Sequence, residues 1–232
     1  MKIEFFEFSE LIEPQYYPRP AKEVMPQWWV EAAAYRDHAH RYEAHGDAGS
    51  TGKRCVPMLD SMVSGYLLFL PTDISVEEHD GQVWFEPAHV PFIDYHPEEQ
   101  IGTHPLFPKG WDRVPKFQNT FGIKTPEGYS CLFKTPSHHD LPFTLFDGVV
   151  DTDTFNLPVG FPFVLNDPEW RGTIPAGTPI AQVIPFKREV WEHTTTNDYD
   201  ITGPIGEGQM DTLRSQIRNG YRSNFWNRKN FS

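Results

Sequence analysis

Proline and glycine break this chain too often for it to hold long helices. Its 232 residues include 22 Pro and 17 Gly. Proline removes a backbone donor and clashes with the preceding helical turn, and both residue types favour turns. What remains between the breaks reads as short strands. Residues 64–70 form an apolar run stopped by Pro71, and Ile74-Ser75-Val76-Glu77 alternates apolar with polar. His79-Asp80-Gly81-Gln82 has the composition of a hairpin turn leading into Val83-Trp84-Phe85. Further strands are expected at 122–125, 129–133, 149–151, 161–165 and 180–186, with a turn at Pro126-Glu127-Gly128. Regular spacing and Pro/Gly turns predict an all-β barrel or sandwich.

Aromatic residues supply the core of such a fold. Mean hydropathy is only −0.53, yet 7 Trp, 9 Tyr and 18 Phe provide large units for burial. Acidic residues outnumber basic ones by 32 to 20, for a formal charge of −12. A surface of that sign repels phosphate backbones, so nucleic acid is not an expected partner, five Lys/Arg at 214–229 notwithstanding. Cys55 and Cys131 lack metal-ligand spacing and read as free thiols of a reducing compartment. The opening Met1-Lys2-Ile3-Glu4-Phe5-Phe6-Glu7 places acids where a secretory signal needs an apolar core. The apolar runs at 62–70 and 180–186 fall far short of the ~20 residues of a membrane helix. A cytoplasmic protein without membrane contact is the expectation.

Three regions follow from the texture of the chain. Residues 1–54 are an N-terminal extension with a strand at 3–8, a Pro/Tyr-rich piece at 13–20 and a helix at 26–36, opened by Pro26-Gln27-Trp28-Trp29. Its last part, 37–53, is a loop carrying His38, His40 and His45, without an acid or cysteine to complete a metal site. Residues 55–190 are the β domain. Residues 191–232 are a C-terminal arm with a short helix near 210–219, and helix is expected nowhere else. Trp28, Trp29 and Trp226 look exposed, a motive for burial between subunits.

Within the β region the motifs fall in an informative order. Gly128-Tyr129-Ser130-Cys131-Leu132-Phe133 leads to Pro136-Ser137 and then to Gly148-Val149-Val150-Asp151-Thr152-Asp153. A strand ends at Asn166, and Gly177-Thr178-Pro179-Ile180-Ala181-Gln182-Val183-Ile184 closes the series. Upstream, Ser64-Gly65-Tyr66-Leu67 precedes Asp73-Ile74-Ser75-Val76. In order and spacing this resembles the trimeric dUTPase superfamily over residues 57–187, with an insertion between Val83 and Lys116. The whole-chain pattern is also similar to a family found in bacteriophage and marine bacterial genomes. The first resemblance implies a β-clip, a distorted dUTPase-like barrel with short N- and C-terminal helical extensions. It also implies a homotrimer, with sites at the three-fold interface. The second implies a phage origin, and for a phage-encoded chain the host cytoplasm.

The superfamily resemblance implies roles for particular residues. Asp151 is the carboxylate that positions and deprotonates water for attack on phosphorus; read from the residues alone, it is equally a turn aspartate. Gln182 holds phosphate or the surroundings of the water, or, more blandly, faces out of an edge strand. Ser137 touches phosphate. Asp153, Thr154 and Phe155 lie on the sugar-facing hairpin, while Arg222 and Phe225 stand for the tail residues that clamp phosphate and stack on the base. A nucleotide would bring Mg with it. The departures are Pro136 in place of an arginine, Thr154 in place of a tyrosine, Leu67 in place of an aspartate, and no glycine-rich arm. Losing the arginine removes charge stabilisation, unless Lys134 or Arg222 replaces it. Binding of a nucleotide or related small molecule, with weak or altered hydrolysis, is therefore expected. The strand before Asn166 offers no glutamate, which the related deaminases need.

Two other readings stay open. His138-His139-Asp140 follows Ser137 directly, and His96 and His104 lie in the insertion. Two histidines and a carboxylate make a facial set for Fe or Zn with open positions. Neighbouring residues on a strand point to opposite faces, and a tight turn accounts for the same residues. The remaining reading is a non-catalytic structural or regulatory β-clip protein of a phage.

Overall fold

Short antiparallel ladders make up most of the structure. The computed structural model describes residues 2–36, 51–195, 221–222 and 226–229. Along the chain these form β1 (Glu4–Glu7), β2 (Arg19–Pro20), α1 (Gln27–Glu31), α2 (Val56–Val63), β3 (Tyr66–Phe69), β4 (Ile74–His79), β5 (Gln82–Pro87), β6 (Ile93–Pro97) and α3 (Glu98–Ile101). They continue with β7 (Arg113–Phe117), β8 (Phe121–Lys124), β9 (Tyr129–Lys134), β10 (Phe143–Leu145), β11 (Gly148–Val150), β12 (Phe161–Leu165), β13 (Gly172–Ile174) and β14 (Pro179–Lys187). The fold is all-β, with strands in four sheets and short helices. No described helix is long and apolar enough to cross a membrane.

Two compact units share the chain: Met1–Val24 with Val63–Arg188, and Met25–Met62 with Glu189–Ser232. All described strands lie in the first. Its largest sheet runs β11-β9-β14-β3-β2, beside sheets β10-β12-β7-β6, β13-β4-β5 and β1-β8. The alternation read at Ile74–Glu77 is real, because Ile74 and Val76 are buried and Ser75 and Glu77 are not. The turn into β5 has Asp80 and Gly81 at φ 52 and 75, the doubly left-handed geometry that two-residue hairpins require. Aromatic side chains from three strands fill the centre. Phe117 of β7 stacks on Phe163 of β12 at 3.9 Å, and Phe143 of β10 meets Phe117 edge-on at 5.0 Å. All three are fully buried.

In the second unit, α1 is shorter than the helix expected at 26–36. Ala32 leaves helical geometry at ψ 132. The carbonyls that would continue the helix are taken elsewhere: Lys53 Nζ bonds those of Trp29 and Val30, and Thr51 takes those of Ala33 and Ala34. Trp29 is buried rather than exposed, Trp226 is half-buried, and Trp28 is exposed as expected. Asp60 accepts from Trp226 Nε1 at 3.0 Å and from Lys229 Nζ at 2.5 Å.

Two helices were not expected. α2 directly precedes the strand expected at 64–70; Pro57 in its first turn costs no hydrogen bond, and Gly65 at φ 73 separates it from β3. α3 stands in the insertion, with Glu98 and Glu99 favourably placed in its first turn. The helix expected at 210–219 and the loop histidines His38, His40 and His45 lie outside the described residues. Cys55 and Cys131 are free thiols, and burial pushes Cys131 up to about 11.

The stacked aromatic centre predicts that Phe163→Ala destabilises the protein by about 3–5 kcal/mol, the usual cost of emptying a packed aromatic site. A urea unfolding midpoint unchanged from the parent would contradict this.

Candidate functional site

The two halves of the sequence motif fold into two separate polar clusters. β14 lies between β9 and β3, pairing Phe186 with Ser130 near one end and Gln182 with Lys134 four positions away. At about 3.3 Å per residue, the two rows stand about 13 Å apart. Asp151 belongs to the first row and Gln182 to the second.

The first cluster is organised by Arg188, which the sequence reading did not single out. This residue follows β14 directly, and its backbone N–H donates to Gly128 O at 2.8 Å. Its Nη1 lies 2.9 Å from Tyr129 O, 2.9 Å from Ser130 Oγ, 3.1 Å from Asp151 Oδ1 and 3.0 Å from Asp153 Oδ1. Two N–H bonds thus serve four acceptors, and Nη2 bonds Asp153 Oδ2 as well. Asp153 also accepts from Gly128 N at 2.8 Å, and its side chain is only 4% exposed. Hydrogen bonding to Arg188 is the main reason that its carboxyl falls from an ordinary 3.8 to about 2. A signal for Arg188 was present: antiparallel pairing of 129–134 with 180–187 sets residue 188 opposite the Gly128 turn.

Asp151 differs from Asp153. Its side chain is 61% exposed. Oδ1 accepts from Ser130 Oγ at 2.6 Å and from Arg188, whereas Oδ2 has no partner among the described residues. The Asp151 carbonyl accepts from the backbone of Thr154 and Phe155 and from Thr154 Oγ1, so this stretch closes as a turn. Thr152, between the two acids, is buried against Thr125 and Cys131. Thr154 and Phe155 are exposed.

The second cluster hangs from Gln182. This side chain is fully buried in a central strand, which corrects the reading of an outward-facing residue on an edge strand. Its Oε1 accepts from Ser137 N at 2.9 Å, and its Nε2 donates to Ser64 O at 2.7 Å. The Ser137 loop and the turn before β3 are thereby fixed to β14. Ser137 Oγ accepts from Lys134 Nζ at 2.9 Å, and Lys134 also donates to Thr135 O at 2.8 Å. Burial lowers the Lys134 pKa, and the charge of Asp147 acts against that. Lys134 and Asp147 line a pocket of about 420 Å³ together with Thr135, Phe146 and the insertion residues His104 and Leu106. The His104 ring lies 4.3 Å from that of Phe146, tilted by 33°. Leu67, in the position of the family's aspartate, is core beside Ala21 and Phe69.

His138, His139 and Asp140 do not gather into a ligand set, and the described residues contain no group of three or more His, Cys, Asp or Glu able to hold a metal. The physical reason is the turn. His138 sits at φ 61, His139 N reaches back to Pro136 O, and His139 is half-buried while His138 and Asp140 are exposed. These residues do not fit the Fe or Zn site considered from sequence. Arg222 belongs to the second unit, where its guanidinium lies 5.9 Å over the Trp226 ring, and Phe225 is outside the described residues.

No family model matches the chain, and no curated protein matches it in sequence. Solved structures do. The chain resembles phage dUTPases. A mutant dUTPase from phage phi11 of Staphylococcus aureus, described with a structural Mg(II) ion, is 11% identical, with a TM-score of 0.38, covering 86% of this chain and 99% of that one. A mutant dUTPase of Staphylococcus bacteriophage 80alpha is 10% identical, with a TM-score of 0.36, covering 86% and 98%. Another 80alpha mutant, with dUpNHpp, is 13% identical, with a TM-score of 0.35, covering 89% and 94%.

The Arg188 cluster has a pH signature. A carboxyl lowered from 3.8 to about 2 in the fold contributes stability that is complete above pH 4 and is lost as pH falls from about 4 to about 2. Asp153→Asn should lower stability at pH 7 and flatten the fall between pH 4 and 2, measured as urea midpoints. Parallel pH profiles for parent and variant would contradict the assignment.

Proposed function

We propose that the protein binds a nucleotide or a related phosphorylated small molecule as a homotrimer, and that it hydrolyses it weakly. The observation that carries this reading is the Lys134–Ser137 pair: a half-buried ammonium at a pocket wall, bonded to a hydroxyl on the loop that buried Gln182 holds in place. An incoming phosphate favours the charged form of Lys134 and replaces the water that burial removed. Asp151 supports the hydrolytic part, since Ser130 and Arg188 orient its carboxylate and leave Oδ2 for a water. About 13 Å of strand separates it from Ser137 within one chain. That separation favours a site that draws Asp151 from one copy and the Ser137 loop from another, and the resemblance to the trimeric dUTPase superfamily makes three copies the number proposed.

Hydrolysis is expected to be weak because Pro136 leaves Lys134 as the cation of that loop. A missing charge-stabilising donor costs about 3 kcal/mol of transition-state stabilisation. Any Mg is expected to arrive with the nucleotide, because the Asp151–Asp153 pair already holds a guanidinium. That same engagement favours a second reading, a non-catalytic β-clip protein in which both acids are structural.

Titration calorimetry with dUMP and dUTP separates the two. Saturable binding, weakened at least about tenfold by Lys134→Met, and a slow dUTP turnover reduced ~10²–10⁴ by Asp151→Asn are the expected results. Absence of binding at millimolar nucleotide would leave the structural reading.

A further inference from the structure

A second cavity of about 440 Å³ opens in the first unit, lined by residues outside both polar clusters. Its lining residues include the exposed Asp140 and Asp167, the half-buried Trp170, and the apolar Leu141, Pro142 and Ile174. The frame is preset. Asn166 Nδ2 donates to Leu141 O at 2.8 Å, its Oδ1 accepts from Thr144 Oγ1 at 2.6 Å, and its backbone N–H donates to Pro142 O at 2.9 Å. Asp167 caps the following turn by accepting from Glu169 N at 3.0 Å. Gly172, at φ 151, lets the chain pass the indole: a Cβ there would stand 3.3 Å from Trp170 Cζ2.

The charge in this cavity is not balanced from within. Neither Asp140 nor Asp167 has a cationic partner among the described residues. The neighbouring cation, Arg171, is committed to Glu78 at 2.7 Å and to the carbonyls of Pro168 and Trp170. His139, next to Asp140, is held below its ordinary value by burial and by His138, which disfavours its charged form.

We propose that this cavity binds a small organic ammonium ion with an aliphatic stem, such as a diamine. Asp140 and Asp167 take the ammonium groups, while Trp170, Leu141, Pro142 and Ile174 cover the stem. Preformed pockets of a few hundred Å³ with an apolar lining and few polar groups are the usual form of small-molecule sites. An indole beside carboxylates suits an ammonium ion, which gains both ion pairing and attraction to the ring face. The two carboxylates fix the sign of the ligand, and the apolar wall distinguishes an organic cation from a bare metal ion. Asp140, considered from sequence as part of a metal triad, thus belongs to a different site.

The test is titration calorimetry of the full chain with 1,5-diaminopentane at about physiological ionic strength, where exposed charges are screened beyond ~8 Å. Uncharged 1,5-pentanediol serves as the comparison. Saturable binding of one diamine per chain, with none for the diol, is expected. The variant Asp140→Asn/Asp167→Asn should weaken it at least about tenfold; asparagine keeps the oxygen that caps Glu169 N, and Asp140 is exposed, so folding is preserved. A control of equal charge change at exposed sites, Glu10→Gln/Glu127→Gln, should bind as the parent does. Equal weakening in both variants, binding of the diol, or no saturable heat at millimolar diamine would overturn the proposal. Nucleotide titrations of the same variants are independent of this outcome, because Lys134 lines the other cavity and Ser137 lines neither.

Discussion

β14 is hydrogen-bonded on both edges, and both polar clusters of the candidate site are placed by where they meet that strand. Its register against β9 puts Gln182 beside Lys134 and Phe186 beside Ser130. Ile180 to Val183 are all buried, so a polar residue there must find partners inside the protein. Gln182 does so by bonding the backbone at Ser64 and Ser137, which ties two loops to one strand. An unpaired buried amide costs about 1–3 kcal/mol, which makes this position intolerant of apolar replacement. Tight packing at the same place is visible at Gly65, where a Cβ would lie 2.0 Å from Val183 O.

The other end of the strand works by charge. Arg188 sits where β14 leaves the sheet and gathers Asp151, Asp153 and the Gly128 turn around one guanidinium. The two acids then serve different ends. Asp153 is enclosed and ionised deep into acid, whereas Asp151 keeps one oxygen open to solvent. One short motif therefore supplies a structural anchor and an oriented, accessible carboxylate. What the carboxylate does depends on what is brought to it, and the Gln182–Ser137 contact lies four residues away along the same strand.

Much of the β body was legible because period-two alternation and turn chemistry are local properties. The strands at 161–165 and 180–186 and the turn at Asp80-Gly81 follow from them directly. What was not legible depended on non-local partners. Residues 56–63 carry the same apolar character as the strand that follows, and only the left-handed Gly65 separates helix from strand. α1 ends early because Lys53 and Thr51, some twenty residues away, take its carbonyls. Arg188 was missed because an arginine after a strand has no local signature; its meaning comes from the pairing of β14 with β9. His138-His139-Asp140 misled for the opposite reason, since adjacency in sequence suggested a cluster that the turn at His138 separates.

The proposed function joins Asp151 of one copy to the Ser137 loop of another. Light scattering and nucleotide binding measured on the same dilution series test it most directly. A trimer is expected at micromolar concentration, with nucleotide binding lost in step as the trimer dissociates. A monomer that binds nucleotide with undiminished affinity would contradict it.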